Sequence, residues 1–100
     1  LLDRARRLSP LDPRYDVTKS VFLLYGRSDV DGAVALLQQA LGKDPLYPPA
    51  LSRLGELEWA ARGHPAEAIR HLEQAVRLDP RAEWSRRVLV MAYLDVDDPA

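Results

Sequence analysis

One spacing recurs along this chain at a fixed interval, and it limits the possible folds more than any single motif. Ala75 and Pro80 are matched by Ala40 and Pro45, and again by Ala5 and Pro10, at an interval of 35 residues (80 − 45 and 45 − 10). Leu72, Leu37 and Leu2 keep the same step, as do Ala68 and Ala33. Self-similarity at such a period is the signature of a repeat array, in which one supersecondary unit stacks on copies of itself.

The best-formed copy of the unit lies at Gly63–Pro80. Ala68, Leu72, Ala75 and Val76 fall at i, i+4, i+7 and i+8 and make one apolar stripe on a helix, while Glu67, Arg70, Glu73, Gln74 and Arg77 cover its other side. The two alanines let a neighbouring helix approach closely. Leu72 supplies most of the apolar area, about 2 kcal/mol if fully covered. Pro65 suits a first helical turn, where its missing N–H is not needed. Asp79-Pro80 ends the helix, because the residue before a proline avoids the α region.

Leu54-Gly55, Gly63, Ala68, Leu72, Ala75 and Leu78-Asp79-Pro80 together resemble the tetratricopeptide repeat. The likeness covers essentially the whole chain and is strongest over residues 46–80. It implies an all-α fold, a right-handed superhelix of antiparallel helix pairs A and B, with a Leu-Gly pair and an aromatic in A and alanines in B. This chain departs from the family's period of 34 by one extra residue per unit, which falls before Ala33 and Ala68, in helix A or in the A–B turn.

On this frame the chain divides into the end of one repeat (1–10), two repeats (11–45 and 46–80) and the first helix of another (81–100). It is therefore read as one domain and as a piece of a longer array. Six helices are expected: a partial B over Leu1–Leu8, A and B at Pro13–Tyr25 and Asp29–Leu41, A and B at Pro48–Arg62 and Pro65–Leu78, and a last A at Ala82–Leu94. Asp12-Pro13 and Ser28/Asp29 mark helix starts, and Gly26, Gly42 and Gly63 lie near helix ends.

Composition narrows the function classes. With 14 basic and 15 acidic residues the formal net charge is −1, so no electrostatic footprint for nucleic acid or an anionic membrane is present. There is no cysteine, which excludes disulfides and cysteine-type zinc sites. No apolar run approaches the ~20 residues of a membrane span, so no direct membrane insertion is expected. Lys19 and Lys43 are the only lysines, and the bias toward arginine, alanine and leucine suggests a bacterial chain from a GC-rich genome, with its compartment undetermined.

Catalytic and metal chemistry finds little support. His64, Glu67 and His71 share a helix face at i, i+3 and i+7, but zinc wants about four ligands with a supporting shell. His71 is expected on the exposed side of its helix. Asp95, Asp97 and Asp98 lack the glycine and closing glutamate of a calcium loop. Ser20, Ser28, Ser52 and Ser85 have no histidine at a recognisable spacing. The expectation is a chain without catalytic residues, metal or cofactor.

What the resemblance implies instead is binding of a protein or peptide in a concave groove lined by the A helices. If Val17, Ser20, Val21 and Leu24 form the buried stripe of the first A helix, then Tyr15, Phe22 and Tyr25 face outward. If Leu51, Leu54, Leu57 and Ala61 form that of the second, Ser52, Arg53 and Glu56 face the groove and Trp59 its margin. The last A helix adds Trp84, Arg87 and Met91. Tyr, Trp and Arg are the residues that dominate binding hot spots, although the same aromatics also suit packing between neighbouring A helices. The family's chaperone-binding members hold acidic tails with lysines and asparagines on helix A, whereas this chain has no asparagine and one helix-A lysine, Lys19.

Two alternatives to an interaction scaffold are RNA binding, since pentatricopeptide repeats also run at 35 residues, and a repeat appendage of an enzyme. The net charge and the alanines of helix B argue against RNA. The end helices are expected to promote self-association, with Val88, Leu89, Ala92 and Tyr93 lacking a covering helix B. Glu58 falls in a slot usually held by a buried aromatic, with Arg62 as its candidate partner. Helix A is expected to stay regular and run one residue longer, leaving Trp59 at the groove margin; the alternative is a π-type turn that carries Trp59 inward.

Overall fold

A computed structural model describes residues 12–97. Among them are five α-helices and no strand: α1 (Pro13–Arg27), α2 (Val30–Lys43), α3 (Pro48–Ala60), α4 (Pro65–Leu78) and α5 (Glu83–Asp97). The helix expected over Leu1–Leu8 lies outside the described residues. Helices α1, α3 and α5 begin 35 residues apart (48 − 13 and 83 − 48), and so do α2 and α4 (65 − 30). The sequence period is thus a structural period. Each helix packs on the next along the chain, and α3 also meets α5, as in a stack of helix pairs. The molecule is elongated, 49 × 28 × 20 Å.

Local chemistry explains the starts. The Asp12 carboxylate accepts the Arg14 backbone N–H at 2.9 Å, and the Asp29 carboxylate accepts that of Gly32 at 2.8 Å, each satisfying a donor that the first helical turn leaves free. Arg14 also holds the half-buried Asp12 carboxyl below its usual pKa through its side-chain and backbone hydrogen bonds. Helices α3 and α4 start instead with proline in the first turn.

The core follows the repeated stripe. Ala33, Leu37, Ala40, Ala68, Leu72 and Ala75 are all buried. One cluster joins Ala33, Val34, Leu37 and Ala40 of α2 to Ala50, Leu54 and Leu57 of α3, and a second joins Ala68 and Leu72 of α4 to Val88 of α5, with Trp59 and Leu89 packed against it. Helices α3 and α4 cross closely at Gly55, where an added Cβ would lie 2.6 Å from Leu72 Cγ and 3.3 Å from the Ala68 carbonyl oxygen. A side chain at Gly55 would push the two helices apart.

The extra residue is absorbed outside the helix interiors, and both units close with the same left-handed turn. Helix α3 stays α-helical but stops at Ala60, two residues short of expectation, so that Ala61 is exposed rather than part of the buried side. A wide turn follows, closed by Arg62 N–H to the Leu57 carbonyl at 3.1 Å and His64 N–H to the Glu58 carbonyl at 2.7 Å. Gly63 occupies the left-handed region at φ +65, which glycine adopts without strain. One period back Ser28 takes the same left-handed setting, at φ 55, and the Asp29 N–H reaches the Leu23 carbonyl at 2.9 Å, although α1 stays helical to Arg27.

Buried polar groups depart furthest from expectation. His71, expected on the exposed side, is half-buried, and its Nδ1 lies 2.6 Å from Glu58 Oε1. Glu58 is therefore paired across the helix pair rather than with Arg62, which points to Asp31 at 3.5 Å. In the preceding unit the buried Asp16 carboxylate sits 2.7 Å from Lys43 Nζ. One period along from Asp16 and Lys43 stand Leu51 and Leu78; one period back from Glu58 and His71 stand Leu23 and Leu36. Each helix pair thus carries a polar couple at two positions where the other pair has leucines.

The buried arc of α1 is correspondingly wider than its apolar stripe. It takes in Tyr15, Asp16 and Ser20, while Val17, Val21 and Leu24 are half-buried. At the other end, Val88 and Ala92 are buried rather than lacking cover, Val88 because α4 packs on it. Leu89 also leans on that cluster. The Tyr93 hydroxyl donates to Glu73 Oε2 of α4.

Candidate functional site

The A-type helices α1, α3 and α5 bring Val17, Tyr25, Pro49, Ser52, Arg53, Glu56 and Trp84 to a single cleft of about 340 Å³. Five of these, Tyr25, Ser52, Arg53, Glu56 and Trp84, are residues that sequence reasoning assigned to partner binding. Two pairs of lining residues stand one period apart, Val17 with Ser52 and Pro49 with Trp84 (52 − 17 and 84 − 49). Val17 and Pro49 were missed, Val17 because it belongs to the apolar stripe and Pro49 because a first-turn proline carries a conformational signal and no chemical one.

Hydrogen bonds set the cleft's shape. The Trp84 indole N–H donates to Glu56 Oε2 at 3.1 Å, tying α5 to α3 across the opening. Behind it the Ser52 and Ser85 hydroxyls bond one another, part-buried between the same helices. Arg53 is half-buried, and its guanidinium has no ion-pair partner among the described residues. Tyr25 stands 73% exposed at the α1 side. The cleft thus presents an indole hydrogen-bonded to Glu56, an exposed phenol and a guanidinium without an ion-pair partner among the described residues.

The remaining candidates go elsewhere. Trp59 and Met91, with Ala60, Leu94 and Asp95, line a separate open hollow near the ends of α3 and α5. There the Trp59 indole N–H donates to Asp95 Oδ2 at 3.2 Å. Trp59 is half-buried and packs against the cluster of Ala68, Leu72 and Val88, away from the cleft. Arg87 and Met91 lie with Glu83, Trp84, Arg86 and Val90 on a shallow apolar surface of α5.

Tyr15 needs correction against the outward setting, whereas Phe22 keeps that setting without reaching the cleft. Tyr15 is 8% exposed, with Lys19 Nζ 6.0 Å from its ring centre. One and two periods along stand Ala50 and Ser85, both buried. The position is therefore an inward one in every A helix, and a tyrosine there is packing. Phe22 is exposed, with the Arg27 guanidinium 5.7 Å from its ring. Its counterparts Leu57 and Ala92 are buried, so its slot belongs to helix packing in the other units and not to the cleft.

Among the described residues no three His, Asp or Glu side chains converge as metal ligands. His71 is engaged with Glu58, and His64 Nδ1 lies 4.0 Å from Glu67 on the exposed start of α4. No described helix is long and apolar enough to cross a membrane. No protein-family model matches the chain, and no curated protein matches it in sequence.

Proposed function

We propose that this chain is an interaction module of tetratricopeptide type, and that it takes an extended segment of a partner protein in the cleft between α1, α3 and α5. The observation that carries this reading is the convergence of Tyr25, Arg53, Glu56 and Trp84, from three helices, on one opening. Trp, Tyr and Arg combine large contact area with few lost rotamers, which is why they anchor interfaces. Trp84 is already held by Glu56, so binding need not order it. Arg53 is available to a peptide carbonyl or carboxylate, and the cleft is large enough for one or two side chains.

A protein partner is favoured over a nucleic acid by the charge. The chain's formal net charge is −1, and Arg53 is the one basic residue lining the cleft, where phosphate tracking needs several. The test is selection of a random peptide library on the 100-residue chain, followed by affinity measurement. Alanine at Tyr25, Arg53 or Trp84 should weaken the selected peptides about tenfold each, a loss of ~1–2 kcal/mol. Arg70→Ala, on the exposed side of α4, should leave them unchanged. Binders indifferent to all three cleft substitutions would overturn the proposal.

A further inference from the structure

Helix α5 carries a second surface, on the side turned away from α4, that the cleft does not use. Glu83, Arg87, Val90, Leu94 and Asp97 fall at steps of four, three, four and three, which places them in one line along a helix. All five are exposed, with Val90 54% and Leu94 65% accessible. The apolar pair sits mid-stripe, flanked by a cationic step at Arg87 and an anionic one at Asp97.

The period shows that this surface is not built to receive a helix as α3 receives α4. Val90 stands at the position of Ser20 in α1 and Gly55 in α3. At Gly55 even a Cβ would come within 2.6 Å of the leucine on the partnering helix. Two further methyl groups at Val90 exclude so close a crossing, although the buried Ser20 shows that a side chain at this position is compatible with a packed helix. A helix accommodated here must stand off and interdigitate its side chains, as antiparallel helices do at 8–10 Å between axes.

We infer that the occupant is α5 of a second copy of this chain, packed antiparallel about a two-fold axis at the level of Ala92. In that register Val90 of each copy meets Leu94 of the other. Arg87 of each copy meets Asp97 of the other, so both flanks of the interface carry opposite charges. The two-fold makes every contact occur twice. Asp97 has no ion-pair partner among the described residues. Arg87 is held 2.8 Å from Glu83 at an exposed site, a contact worth little and easily shared. Val90, Leu94 and Asp97 do not line the cleft, so this interface stands or falls separately from peptide binding.

Sedimentation of the 100-residue chain from micromolar to millimolar concentration tests the inference. The expected result is a monomer–dimer equilibrium that stops at twice the monomer mass. Leu94→Glu should abolish the dimer. Arg87→Glu and Asp97→Arg should each raise the dissociation constant about tenfold, and the double swap should bring it back to within about threefold of the parent, since each of the two symmetric pairs is re-formed with its charges exchanged. Glu83→Gln should leave it unchanged. These side chains are exposed, and far-UV circular dichroism verifies that each variant keeps its helix content. A monomer at every concentration, growth beyond the dimer by head-to-tail stacking, or a double swap as weak as the single ones would overturn it.

Discussion

His71 Nδ1 and Glu58 Oε1 lie 2.6 Å apart between α4 and α3, with 19% and 12% of their side chains exposed. Removing one member leaves the other buried without its partner, which costs more than the pair contributes. His71→Ala should therefore destabilise the chain by about 1–3 kcal/mol in urea unfolding. The double replacement Glu58→Leu/His71→Leu should recover to within about 1 kcal/mol of the parent, because the preceding unit fills the same two positions with Leu23 and Leu36. Non-recovery would mean that the two units pack differently at this level.

Gly55 provides the second test. Its substitution by alanine places a methyl group against Leu72 and the α4 backbone, and the overpacking should cost about 1–3 kcal/mol. Leu72→Ala, which opens a cavity in the same place, should cost about 2–5 kcal/mol. Combining them should cost less than the sum of the two, since each relieves the other's misfit. Additive losses would show that the close crossing does not depend on this contact.

Ser28 is a non-glycine residue held in the left-handed region at φ 55. Ser28→Gly removes that strain at an exposed position and should raise stability by about 0.5–1 kcal/mol. Gly63→Ala, at φ +65, should lower it by a similar amount. A thermal melt of each variant decides the signs.

Tyr93 links α5 to α4 through its hydrogen bond to Glu73, and that bond, then burial, then the negative charge of Glu73 hold its phenol above the ordinary value of 10.0. The raised pKa means that the contact's contribution is fully present below the ordinary value and is lost as pH rises through the folded one. Phenolate absorbance should therefore show a late-titrating tyrosine that Glu73→Gln moves back toward 10. An unchanged titration in Glu73→Gln would remove the bond from the account.

Much of this was legible in the residues and some was not, for physical reasons. The apolar stripe at Ala68, Leu72 and Ala75 and its copy at Ala33, Leu37 and Ala40 gave the helix pairs, because burial of small residues at helical spacing leaves few alternatives. Proline and aspartate placed the helix starts to within a residue. Periodicity assigns polar side chains to solvent, so the Asp16–Lys43 couple was invisible to it, and Glu58, whose slot marked it as inward, was given Arg62 in place of His71; the members of the two couples lie 27 and 13 residues apart (43 − 16 and 71 − 58) and meet only once the helices are antiparallel. Tyr15 was misplaced by judging the residue type and not the position, although Ala50 and Ser85 one and two periods along already marked that position as small and inward. Of the cleft, Tyr25, Ser52, Arg53, Glu56 and Trp84 followed from helical rotation. Val17 and Pro49 did not, since both carry stronger signals of packing and turn chemistry.

The most direct test of the cleft reads its two tryptophans separately. Trp59 and Trp84 are the only tryptophans, so the chain gives two indole N–H resonances, one from the indole bonded to Asp95 and one from that bonded to Glu56. On titration with a library-selected peptide, the Trp84 resonance should shift and saturate while that of Trp59 stays in place. A shift of Trp59 alone, or saturating binding that leaves both resonances unmoved, would contradict recognition between α1, α3 and α5.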